Sequence, residues 1–214
     1  MLSASAHDWV DPEALVVTLT DMIGLLQTTC ASASPLEVVA ACLGLAYVVL
    51  AIRESRWCWA FAFVSTALYL RVFAEAHLYM QSALQAYFLS VAVYGWFAWR
   101  RTDAERAPTN GSWRMNLWAL GAMTLVAALT AHWLSVETHS ADPLIDAWTT
   151  WASVYATGLQ AKKRRENWLW WIAVDCVIAW LCVRQGLPLT AILYVLYVGL
   201  AALGWRSWAT NPVK

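Results

Sequence analysis

Seven apolar stretches, each long enough to cross roughly 30 Å of hydrocarbon as a helix rising about 1.5 Å per residue, occupy most of this 214-residue chain. They lie near residues 36 to 53, 57 to 73, 78 to 99, 115 to 135, 144 to 162, 168 to 184 and 187 to 208. Charges and helix breakers mark the joints: Arg53, Glu54 and Arg56; Glu75 and His77; residues 100 to 114 with Pro108, Asn110 and Gly111; Asp142 and Pro143; residues 162 to 166; Gly186 and Pro188. A chain with 61% hydrophobic and 13% charged residues cannot cover a water-exposed globule of this size, so its solvent is lipid. A formal net charge of zero leaves no electrostatic footprint for nucleic acid.

Assigning the joints to alternate sides puts twelve basic residues on one side: Arg53, Arg56, Arg100, Arg101, Arg106, Arg114, Lys162, Lys163, Arg164, Arg165, Arg206 and Lys214. Arg71 and Arg184 fall on the other. The positive-inside rule then places the C-terminus in the cytoplasm and the N-terminus outside, as an odd number of spans requires. Residues 12 to 26, apolar but short and interrupted by Asp21, read as an amphipathic helix lying on the outer surface, with an eighth, short span as the alternative. The first thirty residues contain no Lys or Arg, so no cleaved targeting peptide is expected. An odd count of five cysteines, mostly within apolar runs, argues against a disulfide framework.

The chain also repeats itself. Gly95, Trp96 and Trp99 close the third span as Gly204, Trp205 and Trp208 close the seventh, and the Trp-rich starts at Trp57 and Trp59 recur at Trp168 and Trp170, about 111 residues on. This divides the chain into an outer segment (1–35), a first three-helix repeat (36–99), a linker containing the fourth span (100–143), a second three-helix repeat (144–208) and a tail (209–214). The expected fold is all-α and integral to the membrane: seven transmembrane helices as 3+1+3 parallel repeats. Such repeats enclose a pathway, an arrangement of transporters more than of enzymes.

Trp168, Trp171 and Asp175 recur at i, i+3 and i+7 on the sixth span and so share a helix face. A carboxylate two turns into a lipid span costs several kcal/mol unless hydrated or paired, so it faces a cavity or a partner, for which Arg71 is the candidate. At a repeat of 111 its counterpart is Val64, which breaks the duplication at one place, as a site for an asymmetric solute requires. Gln81 and Gln85 lie a turn apart on the third span, and Thr190, Tyr194 and Tyr197 share a face of the seventh. Trp148, Trp151 and Tyr155 form a further stripe on the fifth. Taken singly, such polar groups more often join helices, and tryptophans at span ends suit the headgroup belt. Together they form a pocket for a flat, polar, cationic ring bearing hydroxyls.

Several classes drop out. The lysines are Lys162 and Lys163 at the very end of a span and Lys214 in the tail, so no buried amine is expected that could carry a retinal Schiff base. No phosphate-binding loop ends in Lys-Ser or Lys-Thr, and His7, His77, His132 and His139 show no His-Glu-x-x-His spacing. A weak outer pair of His132 and His139 aside, neither metal nor cofactor is expected.

The segments Leu36-Glu37, Arg53-Glu54, Trp57-Cys58-Trp59, Leu78-Tyr79, Leu84-Gln85 and Tyr94-Gly95-Trp96 resemble the PnuC vitamin transporters. In the second half, residues 166 to 171, Val174-Asp175, Leu189-Thr190-Ala191 and Leu193-Tyr194 agree. The resemblance implies a SWEET-like fold, facilitated diffusion of nicotinamide riboside across a bacterial inner membrane, and a homotrimer; thiamine and riboflavin are alternative cargoes on the same scaffold. Trp171, with Trp170 and Trp59 as neighbouring aromatics, would stack on the ring. Asp175 would meet its charge or a hydroxyl, while Gln85, Gln81, Thr190 and Tyr194 would orient it. The competing class is a seven-span receptor or membrane enzyme, weakened by the short tail after Trp208 and by the lack of a second catalytic group beside Asp175.

Overall fold

In hydrocarbon every backbone N–H and C=O must be satisfied within its own segment, so apolar runs of this length become helices. The computed structural model describes residues 35–75, 79–100, 108–137, 142–184 and 188–209, and the expected surface helix over 12–26 lies outside them. Seven helices fall on the expected spans: α1 (Pro35–Ile52), α2 (Trp57–Glu75), α3 (Tyr79–Ala98), α4 (Trp113–Glu137), α5 (Pro143–Ala161), α6 (Asn167–Arg184) and α7 (Pro188–Ser207). By length and composition alone, Trp57–Glu75, Trp113–His132 and Asn167–Arg184 are apolar enough to cross a membrane. Helix α5 is less apolar because it buries Ser153, Thr157 and Gln160.

Within each triplet the middle helix packs on both of its partners, α2 on α1 and α3, α6 on α5 and α7. Contacts of α3 with α5 and of α7 with α1 then close six helices into a ring. Helix α4 packs on α5 from outside. Its other face carries Trp118, Leu125 and Leu129 to the surroundings, as a lipid-facing helix should. Asn116 ties α4 down, its Oδ1 accepting from Trp170 Nε1 at 3.2 Å and Tyr155 Oη at 3.3 Å.

Two helix ends, one in each triplet, share a backbone feature. Helices α1 and α5 both end in a Schellman turn: Ser55 N–H donates to Leu50 O and Glu54 N–H to Ala51 O, as Arg164 does to Leu159 O and Lys163 to Gln160 O. The left-handed residue of each turn is not glycine but Glu54 (φ 55°) and Lys163 (φ 50°). That conformation costs about 1–2 kcal/mol per residue. A structural reason for keeping side chains there is that Lys163 Nζ lies 3.4 Å from Glu54 Oε2, an ion pair between the two repeats at equivalent positions. Because the positions are equivalent, exchanging the charges should preserve the pair. Lys163→Glu alone is expected to destabilise the protein by about 2–4 kcal/mol, between the surface and buried limits, and Glu54→Lys added to it should restore most of the melting temperature. A double variant no more stable than the single would show that the pair contributes nothing.

Two glycines fix the repeat register. A Cβ on Gly95 would lie 2.3 Å from the Trp59 ring, and one on Gly204 would lie 2.5 Å from Trp168. These pairs recur 109 residues apart (95 to 204, 59 to 168), not 111. The counterpart of Asp175 is therefore the buried Thr66 rather than Val64. Trp99 and Trp208 complete the motif, each ring edge-on to the glycine-packed indole of its own repeat, at 5.4 and 5.3 Å. Each also donates its indole N–H to the other repeat, Trp99 to Ala161 O (3.1 Å) and Trp208 to Ala51 O (3.2 Å). With Cys58, Ala92 and Ala201 they form a buried cluster that plugs the end of the ring where the basic joints lie.

Candidate functional site

Immediately above this plug, between α1, α5, α6 and α7, lies a cavity of about 250 Å³. Helix α6 contributes Trp168, Trp171 and Asp175, spaced to share one face; α7 contributes Tyr194, Tyr197 and Ala201. From α1 come Gly44, Tyr47 and Val48, and from α5 the single residue Gln160. Both triplets thus contribute to one chamber, which is not centred between them but leans toward the second.

Some of the polar groups here bond one another, but the buried carboxylate of Asp175 and the half-buried hydroxyls of Tyr194 and Tyr197 are not paired off among the described residues. Asp175 is 6% exposed, and among the described residues nothing hydrogen-bonds its carboxylate. Arg71, the expected partner, instead holds Glu75 at 2.8 Å. The phenol rings of Tyr194 and Tyr197 stand 6.0 Å apart and steeply inclined beside the acid. A buried polar group left unmet costs about 1–3 kcal/mol, so a lipid-embedded bundle that keeps several around one void has them for water or a solute. On α5, the neighbouring Ser153 and Thr157 show the opposite pattern, each hydroxyl donating to a carbonyl one turn back.

Of the residues expected from sequence, Trp171, Asp175 and Tyr194 converge on the cavity. Trp170 does not: one position along the helix turns it toward α4, where it bonds Asn116. Trp59 is 1% exposed, wedged against Gly95 within the plug, and so supports the floor without lining the chamber. Gln85 is half-buried on α3 and is absent from the lining. The side chains of Gln81 and Thr190 lie outside the described set. The expected Trp148–Trp151–Tyr155 stripe also faces away from the cavity, toward α4 and α6, with Trp151 Nε1 donating to Thr130 Oγ1 and Tyr155 packed against Trp170.

Sequence reasoning missed Tyr47 and Gln160. Tyr47 Oη donates to Gln160 Oε1 at 2.8 Å, and Trp171 Nε1 donates to the same oxygen at 3.3 Å. One signal was available: Gln160 is an uncapped amide at the end of an apolar span, with Tyr47 three residues after Gly44 on another. Nothing in either segment reveals that they meet.

A profile described as nicotinamide mononucleotide transporter matches residues 34–210. The riboflavin/roseoflavin transporter RibM of Streptomyces davaonensis is 32% identical over 212 residues, covering 94% of this chain and 92% of that one. The nicotinamide riboside transporter PnuC of Escherichia coli is 25% identical over 204 residues, covering 82% and 85%. The crystal structure of the vitamin B3 transporter PnuC superposes with a TM-score of 0.68 at 25% identity, covering 94% and 92%.

Proposed function

We infer, because this chain belongs to the nicotinamide mononucleotide transporter family and is a PnuC-type multi-pass membrane protein, that it is a uniporter for a vitamin of the nicotinamide riboside kind. The observation that supports this best is the chamber itself: an indole face, two phenols and an unpaired carboxylate around a void within a lipid-facing ring. Nicotinamide riboside presents a flat cationic ring and a hydroxyl-bearing sugar. The Trp171 ring suits the first by stacking and cation–π attraction, Asp175 offsets its charge, and Tyr194 offers a hydroxyl to the ribose. A void of about 250 Å³ falls just under the usual range of about 300–1,000 Å³ for ligand sites and favours a solute with a single aromatic ring over the three fused rings of a flavin.

On this reading the two triplets are like-oriented, SWEET-type repeats that rock against one another. The basic, tryptophan-plugged end faces the cytoplasm, the N-terminus lies outside, and the bacterial inner membrane is the site of action. No energy source is coupled. The homotrimer implied by the family resemblance belongs to the same reading and is checked by native mass in detergent.

Riboflavin is the second reading, because the relative that matches over the larger share of this chain is a riboflavin carrier. Proteoliposomes loaded with unlabelled solute decide between them. Labelled nicotinamide riboside should exchange inward without ATP or an ion gradient, and riboflavin should do so weakly or not at all. Riboflavin exchange alone would promote the second reading. A folded protein that exchanges neither would remove the transport assignment.

A further inference from the structure

Gln160 is 1% exposed, yet its amide is only half used. Indole Nε1 can only donate, so the Gln160 atom 3.3 Å from Trp171 Nε1 must be the oxygen. This fixes the orientation of the amide without appeal to any convention about flips. Tyr47, donating to the same oxygen from α1, locks it a second time. The nitrogen, with its two N–H donors, is consequently turned away from both partners. Among the described residues nothing accepts from it, and it is not among the polar atoms sealed off inside the protein, which include the indole nitrogens of Trp59 and Trp168. Gln160 lines the cavity, the open space that its free amide nitrogen adjoins among the described residues.

The chamber therefore has opposed polarity. Asp175 offers acceptors only, and Gln160 Nε2 offers donors only, at the edge of the indole on which a flat ring would stack. We propose that Gln160 is a specificity-determining residue whose amide, aimed by Tyr47 and Trp171, donates to a carbonyl oxygen on the rim of the transported ring. This rests on the uniporter reading above and narrows its substrate class. The solute must carry a ring carbonyl, as a carboxamide or an imide does. Thiamine, which has none, is excluded by the unmet donors it would leave. The repeat counterpart of Gln160, 109 residues earlier, is Ala51, whose carbonyl is taken by Trp208. The donor thus exists once per chain, which lets one end of an asymmetric solute be told from the other.

Gln160→Glu separates the two roles of the side chain, because a carboxylate still accepts from Tyr47 and Trp171 but donates nothing. Binding to the purified full-length protein is measured by calorimetry with nicotinamide riboside and with its analogue bearing hydrogen in place of the ring carboxamide. Both ligands carry the same pyridinium charge, so any attraction to the new carboxylate cancels in their ratio. The wild type should prefer the carboxamide roughly tenfold, and Gln160→Glu should bring the ratio close to one. Tyr47→Phe, which keeps the Trp171 bond, should leave the preference largely in place. If the glutamate variant does not fold, Gln160→Met gives the same ratio. A wild-type preference that survives both Gln160 substitutions overturns the proposal. A folded wild type that binds nicotinamide riboside not at all overturns the substrate reading instead, and the proposal with it.

Discussion

Gly204→Ala is expected to lower the melting temperature of the detergent-solubilised protein by about 6–12 °C, and Gly95→Ala by a similar amount. The added methyl would lie 2.5 Å from Trp168 Cδ2 and Cε2 at one position and 2.3 Å from the same atoms of Trp59 at the other, against ordinary carbon contacts of about 3.5–4.0 Å. Neither indole can retreat. Trp168 is 2% exposed and packed edge-on against Trp208, and Trp59 is 1% exposed and packed against Trp99. The overlap must be relieved by separating α6 from α7 or α2 from α3, which puts the cost near the top of the overpacking range, about 3 kcal/mol. Gly199 provides the control on the same helix as Gly204, since a Cβ there meets nothing within 4 Å. Gly199→Ala should leave stability unchanged or raise it slightly through helix propensity. If Gly204→Ala melts with Gly199→Ala, the close helix approach is not what holds the plug.

The same glycines show how far the sequence could be read. Their spacing from Trp99 and Trp208 reveals the duplication without any structure, and the seven spans follow from apolar run length alone. The repeat register was harder to read because the Trp-rich helix starts offer more than one match, Trp57 and Trp59 in the first against Trp168, Trp170 and Trp171 in the second. Only contact with glycine identifies Trp59 and Trp168 as the matched pair and moves the offset to 109. Adjacent aromatics posed a related problem. Trp170 and Trp171 differ by one residue, about 100° around a helix; the i, i+3, i+7 spacing puts Trp171 on the face of Asp175, and Trp170, counted with it as a neighbouring aromatic, is turned to α4. Asp175 was legible because a carboxylate at that depth needs a reason; Gln160 was not, since its meaning depends on α1 arriving beside α5 from more than a hundred residues away. The shift of register also relates two expected contacts: Gln85 and Tyr194 occupy equivalent positions, and only the copy in the second repeat reaches the chamber. Departure from symmetry, more than residue type, therefore marks the solute site.

The sharpest functional consequence falls on Asp175. Replacing it with asparagine keeps the volume and one acceptor oxygen but removes the charge and turns the other oxygen into a donor, so the contrast between a charged and an uncharged ligand isolates what the charge contributes. Nicotinamide riboside should bind Asp175→Asn about 10–100-fold more weakly, the equivalent of about 1.5–3 kcal/mol for a charged contact. Riboflavin, being uncharged, should change by no more than a few-fold. Trp171→Ala provides the contrast, because removal of the stacking face should weaken both ligands together and also free the Gln160 amide from one of its two anchors. The comparison is made on binding rather than flux, so that altered rocking of the repeats does not enter. Equal weakening of the charged and uncharged ligands by Asp175→Asn would mean that the acid shapes the chamber and does not read charge. The cationic substrate would then lose its main support, and the neutral, carbonyl-rich flavin would fit these walls better.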